Sequence, residues 1–361
     1  MIVKNEADVL ERCLESVREA VDEIIVVDTG SADGTEEIAG RYADCIYKYS
    51  WHDDFASARN YAMSKGTKDY LMWMDADDVL TEEGRKGLLR LKKELPAETD
   101  AVMMPYETAF DEEGNCTFSY YRERIVRKGA GFLFRGRVHE AMEVSGHIYY
   151  AEIPVRHRKE KPSDPERNLR IYRRMEESGE PMDARALYYY GRELVSHGEY
   201  EKAIRVFGQF FECPEAWTEN KIDASRQAAL CYERLGKGER RLEALVRTFC
   251  WDMPRGEVCC EIGRWFMEKG EYRTAAYWYT QALEARERIE TIRKSGAFVT
   301  EECYGFLPAI NLSVCFDRMG EREKAEEYNE LAGTFRPFSE YYLANREYFR
   351  RVYSGIGAGS G

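Results

Sequence analysis

The sequence lacks any apolar run approaching the roughly 18 residues that a helix needs to cross a bilayer. No targeting signal is visible either, so we expect a soluble, cytoplasmic protein. Basic residues are outnumbered, with 53 Lys and Arg against 66 Asp and Glu and a net charge of −13. This balance argues against a general nucleic-acid or anionic-membrane binder, although a local basic pocket for a phosphate is compatible with it.

The ten cysteines show no C-x-x-C spacing. Cys13, Cys231 and Cys315 instead fall at apolar positions of helical periodicity. We therefore predict reduced core thiols, which excludes a disulfide framework and a cysteine zinc site. With 361 residues, 44% of them hydrophobic, the chain is long enough for two domains that each have a core.

The most informative stretch is YLMWMDADDVL at residues 70–80. Its first five residues are apolar and too few for an independent helix, so they predict a strand buried on both faces. Asp75, Asp77 and Asp78 follow at the carboxyl end, where open α/β sheets bind ligands. If the chain stays extended, Asp75 and Asp77 lie on one side and suit Mg²⁺ or Mn²⁺ shared with substrate phosphates. The alternative is a solvated acidic turn before a helix capped by Thr81.

Strands and helices alternate before this stretch. Residues 1–3 form the stub of a strand, and its abrupt start suggests that a few residues of it are missing or that the true start lies upstream. Helical periodicity over 9–21 is followed by a buried strand over 24–27 and a third strand over 45–49. Acidic or amide side chains come after each strand, namely Asn5 and Glu6, then Asp28 and Asp33, then Asp53 and Asp54. Their accumulation at one rim favours a ligand site, although Asp33 and Thr35 could also be simple turn and cap residues.

Four segments in this order, MIVKNE, IIVVDTGSADGT, WHDDFASARNYA and YLMWMDADDVL, resemble the inverting family 2 glycosyltransferases of the GT-A fold. The resemblance implies an α/β, Rossmann-like nucleotide-sugar domain over residues 1–162. It also implies a UDP-sugar donor, of the UDP-glucose or UDP-GlcNAc type, and a Mn²⁺ or Mg²⁺ cofactor. Acids would accept hydrogen bonds from sugar hydroxyls and uracil, while the divalent ion would offset the diphosphate charge.

The same resemblance implies roles for individual residues. The donor-binding residues that it implies are Asn5, Glu6, Asp28, Asp33, Arg59, Asn60 and Asp75. Asp77, the second acid of the D-x-D motif, is expected to bind the metal ion. His157, which follows a short strand as in related enzymes, is expected as a further metal ligand, with a hydrogen-bonding packing role as the alternative.

Beyond the D-x-D motif we expect a helix over 82–95, an antiparallel hairpin of strands 101–105 and 118–126 that turns at Gly114-Asn115, and short strands over 148–150 and 153–157.

The segment between them contains G-x-V-H-E, which by the family resemblance makes Glu140 the acceptor-side base. The alternative is a salt bridge from Glu140 to Arg135 or Arg137. Glu107 and Asp111 would then be the next candidates for the base.

From about residue 164 strand signals disappear and helical periodicity takes over. Related turns recur at residues 198–203 (GEYEKA), 236–244, 270–275 (GEYRTA) and 320–325 (GEREKA). They resemble tetratricopeptide repeats, with Gly at the turn and Ala where paired helices approach, although an irregular helical bundle is the alternative. We predict an all-α repeat domain over 163–350, with an insertion around 295–300, and a disordered tail over 351–361.

These expectations combine into a metal-dependent transferase that moves a hexose with inversion. The layout resembles bacterial glycosyltransferases that modify Cys or Ser of bacteriocin-type precursor peptides, so we expect a peptide acceptor docked with help of the repeats. The repeats also offer a surface for a homodimer. Two alternatives are a cell-envelope or capsule glycosyltransferase with a saccharide acceptor, and a non-catalytic scaffold whose repeats recruit partners.

Overall fold

The structure, a computed structural model, describes residues 1–110, 114, 116–160, 164–297 and 299–354. It divides into two units, Met1–Met182 and Asp183–Gly361. The predicted boundary at 162/163 falls on residues outside the described ranges, and the helix that follows it belongs to the first unit. The last helix runs through Ser354, into the stretch expected to be a disordered tail, and the rest of that stretch is not among the described residues.

The first unit alternates short strands and helices. Its strands are β1 (Ile2–Val3), β2 (Ile25–Asp28), β3 (Cys45–Lys48), β4 (Tyr70–Met72), β5 (Asp78–Leu80), β6 (Ala101–Phe110), β7 (Cys116–Arg127), β8 (Phe134–Arg135), β9 (Ala141–Met142), β10 (Ile148–Tyr150) and β11 (Val155–His157). Its helices are α1 (Leu10–Val17), α2 (Thr35–Tyr42), α3 (Phe55–Lys65), α4 (Glu82–Glu94) and α5 (Arg167–Ser178).

The strands form a parallel sheet and a larger mixed sheet. β2 lies between β1 and β3, and all three are parallel. The mixed sheet has the order β4-β7-β6-β11-β5, with β10 paired to β6. β6 and β7 confirm the predicted antiparallel hairpin, while Asn115 of its expected turn lies outside the described residues.

The D-x-D stretch differs from the expectation of a continuous extended chain. β4 is half-buried rather than buried on both faces and ends at Met72. The chain then turns, with the Asp78 N–H donating to the Asp75 carbonyl at 3.1 Å, and enters β5. It reverses here because β5 pairs antiparallel with β11, which sets Asp78 opposite His157. Thr81 caps α4, as the alternative expected, but β5 separates the acidic turn from this helix.

Helix α1 joins the cores of both sheets. Leu10 and Leu14 pack in a cluster with residues of β1, β2 and α2. Cys13 and Val17 pack in a second cluster with residues of α4, β5, β6 and β11. The amphipathic periodicity that predicted this helix thus reflects two buried contact surfaces, which hold the acid-bearing strand ends near each other.

The second unit is helical. Its α-helices are α6 (Ala184–Ser196), α7 (Tyr200–Phe211), α8 (Thr218–Arg234), α9 (Gly238–Arg247), α10 (Gly256–Glu268), α11 (Tyr272–Glu284), α12 (Ile289–Lys294), α13 (Phe306–Arg318), α14 (Arg322–Phe335) and α15 (Glu340–Ser354). The turn before a helix contains a glycine in four places, at Gly198, Gly236, Gly270 and Gly320. Each of these glycines has a φ of +68° to +78°, a conformation that glycine adopts without strain. The predicted insertion follows α12 and includes residue 298, which is outside the described set.

Candidate active site

The loop after β2 uses its predicted acid to hold its own backbone. Asp28 is 5% exposed and accepts hydrogen bonds from the N–H groups of Gly30 and Ser31, at 3.1 to 3.2 Å. The backbone N–H of Glu6 donates to Thr35 Oγ1 at 2.8 Å, which fastens the loop after β1 to the same region. A carboxylate offers about four acceptor positions, so Asp28 retains capacity for a ligand hydroxyl.

Asp33 and Asn5 are braced in a similar way. Asp33 Oδ1 accepts from the Thr35 N–H at 3.0 Å, and its Oδ2 accepts from the Ala7 N–H at 3.2 Å. Burial is the largest single effect on Asp33 and opposes its ionisation, but the hydrogen bonds from Thr35 and Ala7 together outweigh it and lower the pKa of this carboxyl. Asn5 Oδ1 accepts from the Ala32 N–H at 2.8 Å. The turn-and-cap role considered for Asp33 is therefore present in the folded chain.

Arg59 joins two of the predicted site carboxylates. Its Nη2 donates to Asp75 Oδ1 and its Nε to Glu140 Oε1, both at 2.6 Å. We call these three residues the Arg59 triad. Glu140 thus forms a salt bridge, as its alternative role expected, but the cation is Arg59 of α3, while Arg137 pairs with Glu180.

Within the Arg59 triad, Asp75 and Arg59 are each held in their charged forms. Burial opposes ionisation of Asp75, but Arg59, and after it Arg124, lower the pKa of this carboxyl to about 2. Burial alone would lower the pKa of Arg59, and the two carboxylates outweigh it and raise that pKa. The result is one guanidinium held between two carboxylates, with only 10% of its side chain exposed.

Asn60 lies next to Arg59 but its amide serves the backbone. Its Nδ2 donates to the Phe134 carbonyl and its Oδ1 accepts from the Phe134 N–H, both at 2.9 Å. The ring of Phe134 in turn lies 5.5 Å from the Arg59 guanidinium. Asn60 therefore links α3 to β8 through its amide group. The sequence had predicted that this side chain contacts the nucleotide sugar.

The two predicted metal ligands are brought together. His157 Nδ1 lies 3.5 Å from Asp77 Oδ1 and 3.6 Å from Asp78 Oδ1. Ligand atoms of these three residues, here called the His157 group, fall within 4.8 Å of one another. Tyr106 Oη is 2.9 Å from the same nitrogen, so His157 also makes the hydrogen bond considered as its alternative. Asp78 and Tyr106 were not among the predicted site residues, although the third acid of DADD signals the first of them.

The chemistry of the His157 group suits a divalent cation. Asp78 is fully buried, and its Oδ1 has no hydrogen-bond partner within the part of the chain that the structure describes. Two carboxylates and an imidazole are ligands that Mn²⁺ accepts readily. The facing carboxylate of Asp78 is the main factor that raises the pKa of His157, and burial is the main factor that raises the pKa of Asp77. A bound cation would therefore compete with protons for His157 and Asp77.

An arginine that sequence analysis missed neutralises Asp78. Arg124 is fully buried and donates from Nη1 to Asp78 Oδ2 at 2.8 Å. Its guanidinium lies over the rings of Trp73 and Tyr106, at 4.1 and 4.4 Å. The alternation of Arg with other residues in YYRERIVR, on β7, was the available signal for a polar face turned toward the acids.

A cavity of about 1140 Å³ lies in the first unit, and residues 20–25, 66–74 and 88–97 supply much of its lining. Among the predicted site residues, Arg59 is the one that lines it. The acids of the candidate site therefore do not open into this cavity.

Comparison with known proteins agrees with this geometry. The family described as Glycosyl transferase family 2 matches residues 1–144. A TPR repeat-containing protein of Synechococcus elongatus is 36% identical over 145 residues, covering 40% of this chain and 35% of the relative. The glycosyltransferase SunS of Bacillus subtilis is 30% identical over 217 residues, covering 56% of this chain and 50% of the relative. The chain thus spans half or less of the length of these two curated relatives.

Two further comparisons complete the set. The lipopolysaccharide core biosynthesis glycosyltransferase LpsC of Rhizobium meliloti is 27% identical over 159 residues, covering 41% of this chain and 57% of the relative. The crystal structure of YrrB, a TPR protein, aligns with 51% of this chain and 84% of its own at 18% identity and a TM-score of 0.37. Among the described residues, no helix is long and apolar enough to cross a membrane. Residues 1–144 form a glycosyl transferase family 2 domain, and a helical, tetratricopeptide-like region follows it in the chain.

Proposed function

We propose that the chain is a metal-dependent inverting glycosyltransferase that moves a hexose from a UDP-sugar onto a peptide side chain. The observation that carries the proposal is the arrangement of acids around one turn. Asp75, before the turn, belongs to the Arg59 triad, while Asp77 and Asp78 belong to the His157 group. The family 2 match supports the reaction class, and the finer assignments are our inference from side-chain chemistry.

On the donor side, the braced loops after β1 and β2 would bind the nucleoside. The spare acceptor positions of Asp28 and Asp33 suit the ribose hydroxyls and the uracil N–H. Asp77 and His157, with Asp78 beside them, would hold Mn²⁺ or Mg²⁺, with Asp75 on the ribose side. When bound, that ion would offset the negative charge of the departing diphosphate.

On the acceptor side, Glu140 would act as the general base. The acceptor atom attacks the anomeric carbon from the face opposite the diphosphate, its proton passes to Glu140, and the bond to UDP breaks with inversion. Arg59 holds this carboxylate in place through a hydrogen bond of 2.6 Å before the acceptor arrives.

A Cys or Ser side chain of a peptide is the acceptor that we favour. The helical-repeat layout supports this choice, since stacked helix pairs offer extended grooves for peptides. The pH dependence separates the two side chains, because a thiol of pKa about 8.5 is already a few per cent ionised at neutral pH and a hydroxyl is not. For a Cys acceptor, the rate deficit of Glu140→Gln should shrink as the pH rises toward 9, whereas for Ser it should persist.

A saccharide acceptor is the second candidate, favoured by the similarity to a relative named for lipopolysaccharide core biosynthesis. A non-catalytic scaffold is the third, and the retention of the complete acidic rim speaks against it.

The testing experiment is donor hydrolysis. We expect UDP release from UDP-glucose or UDP-GlcNAc that requires Mn²⁺ or Mg²⁺ and stops with a chelator. Release without added metal would contradict the role of the His157 group. Absence of release from every UDP-sugar with every divalent metal would favour the scaffold. Transfer to short Cys or Ser peptides and to saccharides then separates the two acceptor classes.

A further inference from the structure

Three guanidinium groups surround the ring of Trp73. Their central carbons lie 4.8 Å (Arg59), 4.8 Å (Arg122) and 4.1 Å (Arg124) from the ring centroid. Two of the three are committed to short pairs with acids, since Arg59 binds Asp75 and Glu140 while Arg124 binds Asp78.

Arg122 differs in both pairing and exposure. Its ion pair is with its own neighbour, Glu123, at 3.3 Å and thus longer than the pairs of 2.6 to 2.8 Å made by the other two. Its side chain is 23% exposed, compared with 10% for Arg59 and none for Arg124. Of these three cations, Arg122 is therefore the one that an incoming anion reaches most easily.

The location of Arg122 is also that of a substrate-facing residue. It lies two positions before Arg124 on β7, and the guanidinium groups of both residues lie beside Trp73. Its positive charge acts on Asp75 of the D-x-D motif and helps to lower the pKa of that carboxyl. A guanidinium stacked on an indole is held in one plane, and its fork of N–H groups matches phosphate oxygens.

We propose that Arg122 binds the diphosphate of the nucleotide-sugar donor and stabilises its charge as the leaving group departs. This assignment rests on the proposed function, because the diphosphate is that of the donor. Preorganised donors aimed at developing negative charge act most strongly in partly buried sites of this kind. The competing role is a purely structural one, in which Arg122 only covers Trp73.

The test uses the full chain with Arg122→Gln and Arg122→Lys, and with Arg41→Gln as the matched control. Arg41 is an exposed arginine on α2, so its replacement removes the same charge away from the site. Binding of UDP, uridine and inorganic pyrophosphate is measured by calorimetry with Mg²⁺ present. We expect Arg122→Gln to weaken UDP and pyrophosphate about tenfold to a hundredfold, to leave uridine unchanged, and to be partly rescued by lysine.

The outcomes separate the two proposals. Equal UDP binding by Arg122→Gln and wild type overturns the Arg122 assignment alone. Loss of uridine and UDP binding together, with a lowered melting temperature, overturns it in favour of the structural role. Wild-type binding of pyrophosphate but not of UDP refutes the UDP donor, while the loss of pyrophosphate binding in Arg122→Gln still supports the anion site. Wild-type binding of neither ligand refutes both.

Discussion

Replacing Arg59 by methionine tests whether the Arg59 triad is a structural as well as a catalytic unit. Methionine keeps the apolar contact with Trp73 and Phe134 but removes the cation from Asp75 and Glu140. Removing one partner of a buried ion pair costs about 3–5 kcal/mol. Glu140 is only 11% exposed, whereas Asp75 is 32% exposed and partly screened by solvent. We therefore expect a loss near the lower end, about 3 kcal/mol of unfolding free energy.

Glu140→Gln removes the negative charge of Glu140 from the Arg59 triad but keeps the size and shape of its side chain. Its side-chain oxygen can still accept from Arg59 Nε, so stability should fall by no more than about 1 kcal/mol. Its amide cannot take a proton, so turnover should fall by about 10²- to 10⁴-fold. Arg59→Met alone leaves the carboxylates of Asp75 and Glu140 without their cation. The double variant Arg59→Met/Glu140→Gln no longer contains the second of these charges. Its destabilisation should be smaller than the sum of the two single changes by about 0.5–3 kcal/mol.

The assays are urea unfolding and UDP release at saturating donor and Mn²⁺. Stability of Arg59→Met within about 0.5 kcal/mol of wild type would refute the buried triad, since that is the range of unremarkable surface changes. Wild-type turnover by Glu140→Gln would remove Glu140 from the mechanism. The search would then move to Glu107, which pairs with Arg156, because Asp111 lies outside the described residues.

Three further predictions concern the metal, the repeats and the thiols. Asp77→Ala should abolish metal-dependent UDP release while changing unfolding free energy by no more than about 0.5 kcal/mol, and retained turnover at saturating Mn²⁺ would contradict the metal role. Gly191→Ala places a Cβ against the ring of Phe207 on α7. It should lower the unfolding free energy of the second unit, measured in urea, by about 1–3 kcal/mol. Its control Gly208→Ala meets nothing within 4 Å and should stabilise by up to about 1 kcal/mol, so equal effects would refute the packing argument. A thiol reagent should label Cys45 and Cys250, the exposed cysteines, well before any buried one, as peptide mapping would show.

Helices and strands whose own residues show apolar periodicity could be predicted from the sequence. Short strands that exist only because they pair with another strand could not. The apolar periodicity of α1 lies within one segment, and the antiparallel partners in β6 and β7 alternate along their own lengths. β5 consists of three residues, Asp78–Leu80, which resemble the start of a helix and form a strand only because β11 lies alongside. β8 and β9 are two residues each and exist through their mutual pairing. Such strands carry too few residues for any periodicity.

In the candidate site, the acids could be predicted from the sequence but their hydrogen-bond partners could not. The acids were found because each follows an apolar run that predicts a strand end. Their partners were not found, because Arg59 and Glu140 are 81 residues apart and Arg124 and Asp78 are 46 apart. Which cation meets which acid depends on helix orientation and strand register, and these are set by packing between distant segments. Asn60 shows the same limit, since its amide contacts a backbone that no local pattern identifies.

The acids of the candidate site differ in how firmly other protein groups hold them, and this difference affects how a nucleotide sugar would bind. Asp28, Asp75, Asp78 and Glu140 already accept hydrogen bonds from donors within the protein, so they define the shape of the site before any ligand arrives. Like charges at this spacing would repel each other without those donors. Asp77 differs because its contact with His157 is 3.5 Å long and both side chains are about a quarter exposed. A ligand therefore gains most where protein pairing is weakest, which makes this acid the position where donor and cation binding should be most sensitive to substitution.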